Sequence, residues 1–573
     1  MFRSNSKIKN INMKKIFRNL ALIFITASAI SACHKLDIPI TTEITPSVFP
    51  QDSLGYIQVE LTPYLALNGN LAQEYFFQQS YSTEESMMPA HGGNWYDGGQ
   101  NMQMHYHTWT KDNGYVNGNW GWMAQIISSA NQAISILNTT MPTGNSKQLR
   151  LAETKMIRDY AIFMLMDNWG NVPLDTVYGD FTPHTNVPRA QVFTFLENDI
   201  KANIPYLSTT VDKSTYARFT AYGAYALLAK MYLNAEYYTG TPRYNDCIAA
   251  CDNIISSGKF YIAALSNYLV MFYPSNGPTS PGSKDEFIFA VPFDGSGSGW
   301  TGRNANYHAR YDVPRAMGKV GSGAGYNYFG IPYDPGGAAS TLPEFYANFN
   351  DPNDVRNGQW LTGLQWQDAA KTIPITVTTT NKGYDQYYSG SNPGGSYTYQ
   401  VNLTPNVILR QDIANGQDPY NGVTNGFDVG NDEIAWTQGY RNIKFYPDAT
   451  SSSRNQNNDI PIFRYSDIVL MKAEAILRGG TATGGSSALS LVNSIRSNRS
   501  TSIAWTNCTL DSVYNERSRE LAWEGWHRND MIRFGKFEGK WGYKTNADTY
   551  RRIFPIPTNA FAVNPALKQN PGY

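Results

Sequence analysis

One helix constrains this fold more than any other feature. In 218–237, read at helical spacing, Ala221, Ala224, Tyr225, Leu228, Tyr232 and Ala235 share one face while Gly223, Ala226, Leu227 and Leu233 fill another. A helix apolar almost all round has no side to offer to water, so the spacing predicts a segment buried by other elements. That demands a large surrounding body. A chain of 573 residues can build one without disulfides or metals.

The neighbouring segments supply the partners. Residues 117–138 place Trp120, Met123, Ile127, Ala130, Ile134 and Leu137 on one stripe, which puts Trp120 in the core. A second helix is predicted over 150–167, ending before Asn171-Val172-Pro173-Leu174, and a third over 190–203 after Pro188. Small residues beside large aromatics at this spacing are similar to tetratricopeptide-type helix pairs, although no strict 34-residue period is present. Helical signals return near 465, where Val469, Ala473 and Ile476 form a stripe and Gly479-Gly480 ends it; further helices are predicted over 484–498 and 510–525. The tail, with Pro555, Pro557, Pro565 and Pro571, is predicted to be extended and to wrap the body.

Between the two helical stretches the character changes. Residues 281–460 hold 23 of the 48 glycines and 14 of the 39 tyrosines, with short strands predicted at Glu286 to Val291 and Ile373 to Thr379. The string Gly295, Gly297, Gly299 lacks the strand–helix setting of a dinucleotide fingerprint. The expected organisation is a leader over 1–32, a tether over 33–49, a helical region over 50–280, a loop-rich region over 281–460, and a C-terminal helical region with its tail over 461–573.

Arg3, Lys7, Lys9, Lys14, Lys15 and Arg18 precede an apolar run from Leu20 to Ile30, the pattern of an export signal too short to span a bilayer. The run closes on Ile30-Ser31-Ala32-Cys33, which resembles a bacterial lipobox, with Cys33 as the acylated residue. The alternative is a cleaved secretory signal followed by a chance cysteine. Of the other cysteines, Cys247 and Cys251 lie four apart on a predicted helix and Cys508 stands alone; no histidine sits at ligand spacing, so they read as small core residues.

The 46 Lys and Arg balance 46 Asp and Glu, which argues against a nucleic-acid partner. Trp and Tyr together number 52 and outnumber the cations, which points to surfaces that offer a flat apolar face and a hydrogen-bonding edge, as a sugar requires. Trp95 and Tyr96 lie within Gly92-Gly93-Asn94-Trp95-Tyr96-Asp97-Gly98-Gly99, a loop no helix would keep, with Glu85 and His91 nearby. They are candidates for stacking and hydroxyl contacts; the alternative is that Trp95 folds inward to pin the loop. Trp300, beside the Gly/Ser string, repeats the argument. His91, His105 and His107 cluster, and His-x-His on a strand would aim both rings one way, but no further ligand stands at a fixed offset and no metal is expected. Glu516, Glu520 and Glu524 line up at i, i+4 and i+8 in a manner that could serve glycoside hydrolysis, yet Arg517, Arg519, Arg528 and Arg533 crowd the same stretch and favour a structural ion network. No nucleophile elbow, metalloprotease motif or phosphate loop occurs, so no enzyme and no cofactor is expected.

Several blocks carry a resemblance. Gly92 to Gly99, His107-Thr108-Trp109-Thr110, Ala130-Asn131, Asp167-Asn168-Trp169-Gly170-Asn171-Val172-Pro173-Leu174, Ala229 to Asn234, Asn458 to Asp467, Glu516 to Leu521, Glu524-Gly525, Asp530 to Arg533 and Gln569 to Tyr573 together resemble the SusD/RagB family of outer-membrane nutrient-binding lipoproteins. The resemblance implies a mainly α fold: four tetratricopeptide-like helix pairs plus a loop-rich, short-strand ligand-binding region. It implies capture without cleavage of an oligosaccharide or polysaccharide, anchoring to the outer membrane through lipid on Cys33, and delivery to a SusC-like TonB-dependent transporter. His34-Lys35-Leu36-Asp37 resembles, in part, a surface-export signal. Peptide capture, as in RagB-type members, is the alternative, and a glycoside hydrolase a more distant one. By region and chemistry the expected ligand-binding residues are Glu85, His91, Trp95, Tyr96, Trp300, Tyr307, Tyr326 and Asn327, with the C-terminal blocks as scaffold.

Overall fold

In the computed structural model, which describes residues 49–294, 308–318, 325–379, 397–410, 425–430, 434–451 and 455–573, helices pair in chain order. α1 (Ser53–Asn70) packs on α2 (Gly114–Thr140), α3 (Asn145–Trp169) on α4 (Arg189–Asn203), α5 (Ala221–Leu233) on α6 (Tyr244–Ile255), and further along the chain α7 (Tyr465–Leu477) on α8 (Ala488–Arg496). Each pair also touches the next, α2 on α3 and α6 on α7, giving the tetratricopeptide-like stack that the sequence predicts. Side chains set the starts: Asp52 accepts from the Gly55 amide at 2.8 Å, Asn113 from Tyr115 at 3.0 Å, and Ser487 forms a capping box with Ser490.

α5 is buried along its length apart from Tyr225, as its pattern demands. It is shorter than expected. Asn234 stops it by turning its side chain back to the Lys230 carbonyl at 2.9 Å, and a separate turn, Ala235–Thr239, follows. Lys230, the one charge on α5, is fully buried and pairs with Asp467 of α7 at 2.7 Å beneath the Trp526 ring. Cys247 and Cys251 are buried in α6 as free thiols.

Strand β1 (Phe287–Val291) pairs antiparallel with β2 (Ile460–Arg464), so the start and end of the glycine-rich stretch lie side by side. Within that stretch short helices and two-stranded ribbons such as Thr376–Thr379 with Tyr397–Gln400 replace long elements. α9 (Leu510–Glu520) and α10 (His527–Arg533) close the body. The predicted helix over 510–525 ends at Glu520, where Trp523 takes a left-handed φ of 62°. The tail returns to the N-terminal helices: Trp169 Nε1 donates to Pro555 O at 2.9 Å, Asn570 Nδ2 to Trp169 O at 2.8 Å, and Trp109 Nε1 to the Tyr573 hydroxyl at 2.8 Å. It is not wholly extended, since α11 (Thr558–Val563) interrupts it. Among the described residues no helix is long and apolar enough to cross a membrane.

Glu516, Glu520 and Glu524 are all buried, each held by cations. Glu520 meets Arg356 at 3.1 Å, Arg464 at 3.0 Å and Arg499 at 3.0 Å; Glu524 meets Arg464 and Lys444 at 2.7 and 2.6 Å; Glu516 meets Arg356 and Arg519 at 2.8 and 2.6 Å. Glu286 completes the cluster against Arg464 and Arg499. Only Arg519 comes from the neighbours singled out in the sequence. Arg517 and Arg533 instead bind Asp530, with Asp467 and Glu474 beyond, and Arg528 donates to the Arg552 carbonyl at 2.9 Å.

These groups give stability a shape in pH. Burial pushes Glu516 up, but Arg356 and Arg519 outweigh it and hold the carboxyl at about 2; Glu520 and Asp530 are likewise held down by guanidiniums against burial. Stability from such groups is present above the ordinary carboxylate value and lost as pH falls through the depressed one. Burial lowers His91 and His105 to about 3, which adds loss in the same direction. Burial raises Glu153 to about 9, with Glu60 adding, and Asp159 to about 8, and stability from a raised acid fades as pH climbs toward the folded value. The thermal midpoint, followed by circular dichroism, is therefore expected to climb steeply between pH of about 2 and 4.5, level off, and decline above about 6.5.

Candidate functional site

The glycine-flanked loop is built from left-handed backbone. Gly92, Gly93, Gly98 and Gly99 have φ of 62°, 84°, 67° and 82°, which glycine adopts freely. Trp95 and Asp97 share that region with φ of 65° and 48°, which costs a side-chain-bearing residue energy that its surroundings must supply. Much of that support comes from Asp428. Its carboxylate accepts from the Gly92, Gly93 and Gly430 amides at 2.9, 2.8 and 2.7 Å, and Ala90 joins the same strand-like segment through Phe427 and Val429.

Thus braced, Trp95 is half-buried. One edge rests on Tyr311, centroids 5.5 Å apart and nearly perpendicular, the Arg310 guanidinium lies 5.7 Å from its ring, and Asn101 donates to its carbonyl at 3.1 Å. The rest of the ring lines an open cleft of about 330 Å³ shared with Asn94, Arg310, Arg315, Asp334, Gly336 and Trp436. Trp95 therefore both packs against the body and walls a cleft. Gly336 makes room for it, because a Cβ there would stand 2.7 Å from Trp95 Cζ2. Gly336→Ala is expected to push the indole out of place and weaken any ligand held in the cleft about tenfold, with the midpoint little changed, as titration calorimetry and melting would show together.

Trp436, buried, also lines the cleft. His91 stacks on it at 3.9 Å and 13°, the Arg315 guanidinium lies over its ring 4.9 Å from the centroid, and Arg441 holds its segment by donating to the Trp436, Gln438 and Gly439 carbonyls at 3.1, 2.6 and 2.6 Å. Burial, with Arg441 adding, lowers His91 to about 3, so it backs the cleft as a neutral ring. Burial also lowers Arg441 to about 10. Arg315 and Asp334 are exposed at the rim.

The sequence candidates separate. Trp95 lines the cleft and His91 lies behind Trp436. Tyr96 is half-buried with its hydroxyl turned over Gly99. Tyr326, 41 % exposed, bonds the Ala316 carbonyl through its amide and Asn327 donates to the Ile331 carbonyl at 2.9 Å, and neither lines the cleft. Glu85 is not at the cleft: it is buried, accepting from Trp523 N at 2.8 Å and Ser80 Oγ at 2.7 Å. Trp300, Tyr307 and Cys33 lie outside the described residues. The histidines do not converge: His105 ends a helix against Phe427, and His107, left-handed at φ 54°, bonds the Ser82 carbonyl rather than sitting on a strand. Among the described residues no group of three or more His, Cys, Asp or Glu could hold a metal ion. Trp436, Arg310, Arg315, Asp334 and Asp428 were not singled out by the sequence; only the Phe427-to-Gly430 turn left a trace, as an acid between glycines.

Residues 285–573, half of the chain, match the SusD family, and residues 56–233 match the family described as starch-binding associating with outer membrane. The chain belongs to the SusD family. Starch-binding protein SusD of Bacteroides thetaiotaomicron is 22% identical over 99% of this chain and 100% of its own length, and SusD-like protein P25 of Formosa agariphila is 22% identical over 79% and 78%. Among solved structures, a laminarin binding SusD-like protein superposes with a TM-score of 0.66 at 20% identity, over 91% of this chain and 100% of that one. Surface glycan-binding protein A from Bacteroides thetaiotaomicron, in complex with laminarihexaose, does so with 0.66 at 18%, over 90% and 99%. At such identities these structures establish the SusD fold.

Proposed function

We propose that this SusD-family protein captures an oligosaccharide between Trp95 and Trp436 and passes it to a SusC-like TonB-dependent transporter in the outer membrane, to which acyl chains on Cys33 anchor it. The observation that carries the reading is the cleft itself. The half-buried Trp95 indole offers a ring face to the C–H side of a pyranose, Trp436, buried between His91 and Arg315, backs the wall, and Asn94, Arg315 and Asp334 at the rim offer donors and acceptors to its hydroxyls. The open form favours a chain that slides in over a peptide enclosed by backbone acceptors. Binding without cleavage is supported by the fate of the aligned glutamates, whose carboxylates are consumed by arginine and lysine. The names of the relatives, which bind starch and laminarin, support the ligand class.

The test is a titration of the protein with malto-, laminari-, cello- and xylohexaose by calorimetry, with reducing ends assayed in parallel. Micromolar to millimolar binding without new reducing ends is expected, strong enough to capture and weak enough to release. Release of reducing ends would establish a hydrolase instead, and binding of tripeptides with no saccharide bound would establish peptide capture.

A further inference from the structure

A second groove, of about 700 Å³, lies between α2, the segment 173–183 and α11, and none of the Trp95 cleft residues line it. Its floor carries Trp120 and Asn131, and its rim carries Tyr178 and Phe181. Trp120 stands perpendicular to Trp169, centroids 5.4 Å apart, so its indole is held rigid. Asn131 is only 5% exposed; its Nδ2 donates to the Asp175 carbonyl at 2.9 Å, and its Oδ1 has no hydrogen-bond partner among the described residues. A buried acceptor left unanswered is costly, and here it belongs to a residue lining a roomy groove. Around it Val177, Phe181 and Val563 are 65%, 92% and 86% exposed, an apolar rim that water wets poorly.

We propose that this groove is a second saccharide-binding site, in which sugar faces pack on Tyr178 and Phe181 over the Trp120 floor and a hydroxyl donates to Asn131 Oδ1. Both demands must be met by one ligand. A hydrocarbon covers the rim but leaves Asn131 unanswered, and an ion answers polar atoms but leaves the rings bare. A pyranose has a C–H face and hydroxyls on its edge. Two sites on one body let a long chain be held at a second point, raising retention by effective concentration without a tight contact at either. The ligand class rests on the reading of the protein as a saccharide binder; the location of the groove does not.

Gly121 offers a clean block. It lies within α2, lines the groove, and a Cβ built there meets nothing within 4 Å, so the indole of Gly121→Trp enters the groove without moving backbone. Hydrogen–deuterium exchange of the full chain in detergent, with malto-, laminari-, cello- and xylohexaose as probes, reads both sites at once. At least one probe is expected to slow exchange over 173–183 several-fold, in wild type and in Trp95→Ala alike. Gly121→Trp should abolish that slowing while leaving the slowing over 91–99. Phe181→Ser, at a side chain that supports no fold, should weaken it several-fold. Slowing over 91–99 alone overturns the second site and leaves the capture reading standing; slowing at neither segment overturns both. Slowing over 173–183 that survives in folded Gly121→Trp, or that only a tryptophan-containing tripeptide produces, also overturns the proposal.

Discussion

Glu520→Gln is expected to cost about 3–5 kcal/mol of stability, because it leaves three guanidiniums in the core short of a counter-charge. Arg356, Arg464 and Arg499 are each fully buried, and all three reach Glu520 within 3.1 Å. A glutamine keeps the shape but supplies a neutral carbonyl and an amide whose protons face cations. Against a total of about 5–15 kcal/mol, the loss brings the protein close to unfolding at growth temperature. The contrasting variant is Lys536→Ala, which breaks a pair with Asp511 whose side chains are 43% and 76% exposed. That change should stay within about 0.5 kcal/mol. Urea unfolding of both, followed by tryptophan fluorescence, separates buried from exposed ion pairs. Equal midpoints would mean that the buried cluster carries no more weight than a surface pair.

Trp95→Ala is expected to weaken saccharide binding by about 2 kcal/mol, roughly thirtyfold, since it removes the aromatic face that the cleft exposes. Part of the indole also rests on Tyr311, so a modest fall in the thermal midpoint should accompany the loss. Trp95→Phe should recover much of the binding, because a smaller ring keeps the stacking face and the contact with Tyr311. The left-handed φ stays in every variant, so strain does not explain the difference between them. Calorimetry and melting on the two variants distinguish a binding wall from a loop pin. A midpoint that collapses while affinity persists would assign Trp95 to the pin alone.

How much of this was legible in the sequence depends on how local the deciding contact is. α5 was legible because its own residues leave no polar face, and α4 because Pro188 marks its start; both need only spacing. The end of α9 was not, because Glu524 keeps the i+8 position in sequence while the chain turns at Trp523, and it reaches Arg464 from outside the helix. The same holds for the cluster partners: arginines stand beside Glu520 in the sequence, but Arg356, Arg464 and Arg499 arrive from other parts of the chain. At the cleft, glycine spacing announced the loop around Trp95, since left-handed backbone is a local demand. Trp436 and Asp428 gave no comparable signal. One stacks on His91 and the other accepts from Gly92 and Gly93, across more than three hundred residues of chain. Glu85 misled for a related reason: an acid near a display loop looks available until the Trp523 amide and Ser80 hydroxyl are found holding it.

The most direct test of capture between Trp95 and Trp436 is a crystal structure of the protein with the tightest-binding hexasaccharide. The account predicts an intact sugar chain in the cleft, one ring face against Trp95, and hydroxyls on Arg315 or Asp334. An unfilled cleft with sugar bound elsewhere, or a cleaved chain within it, would contradict the account.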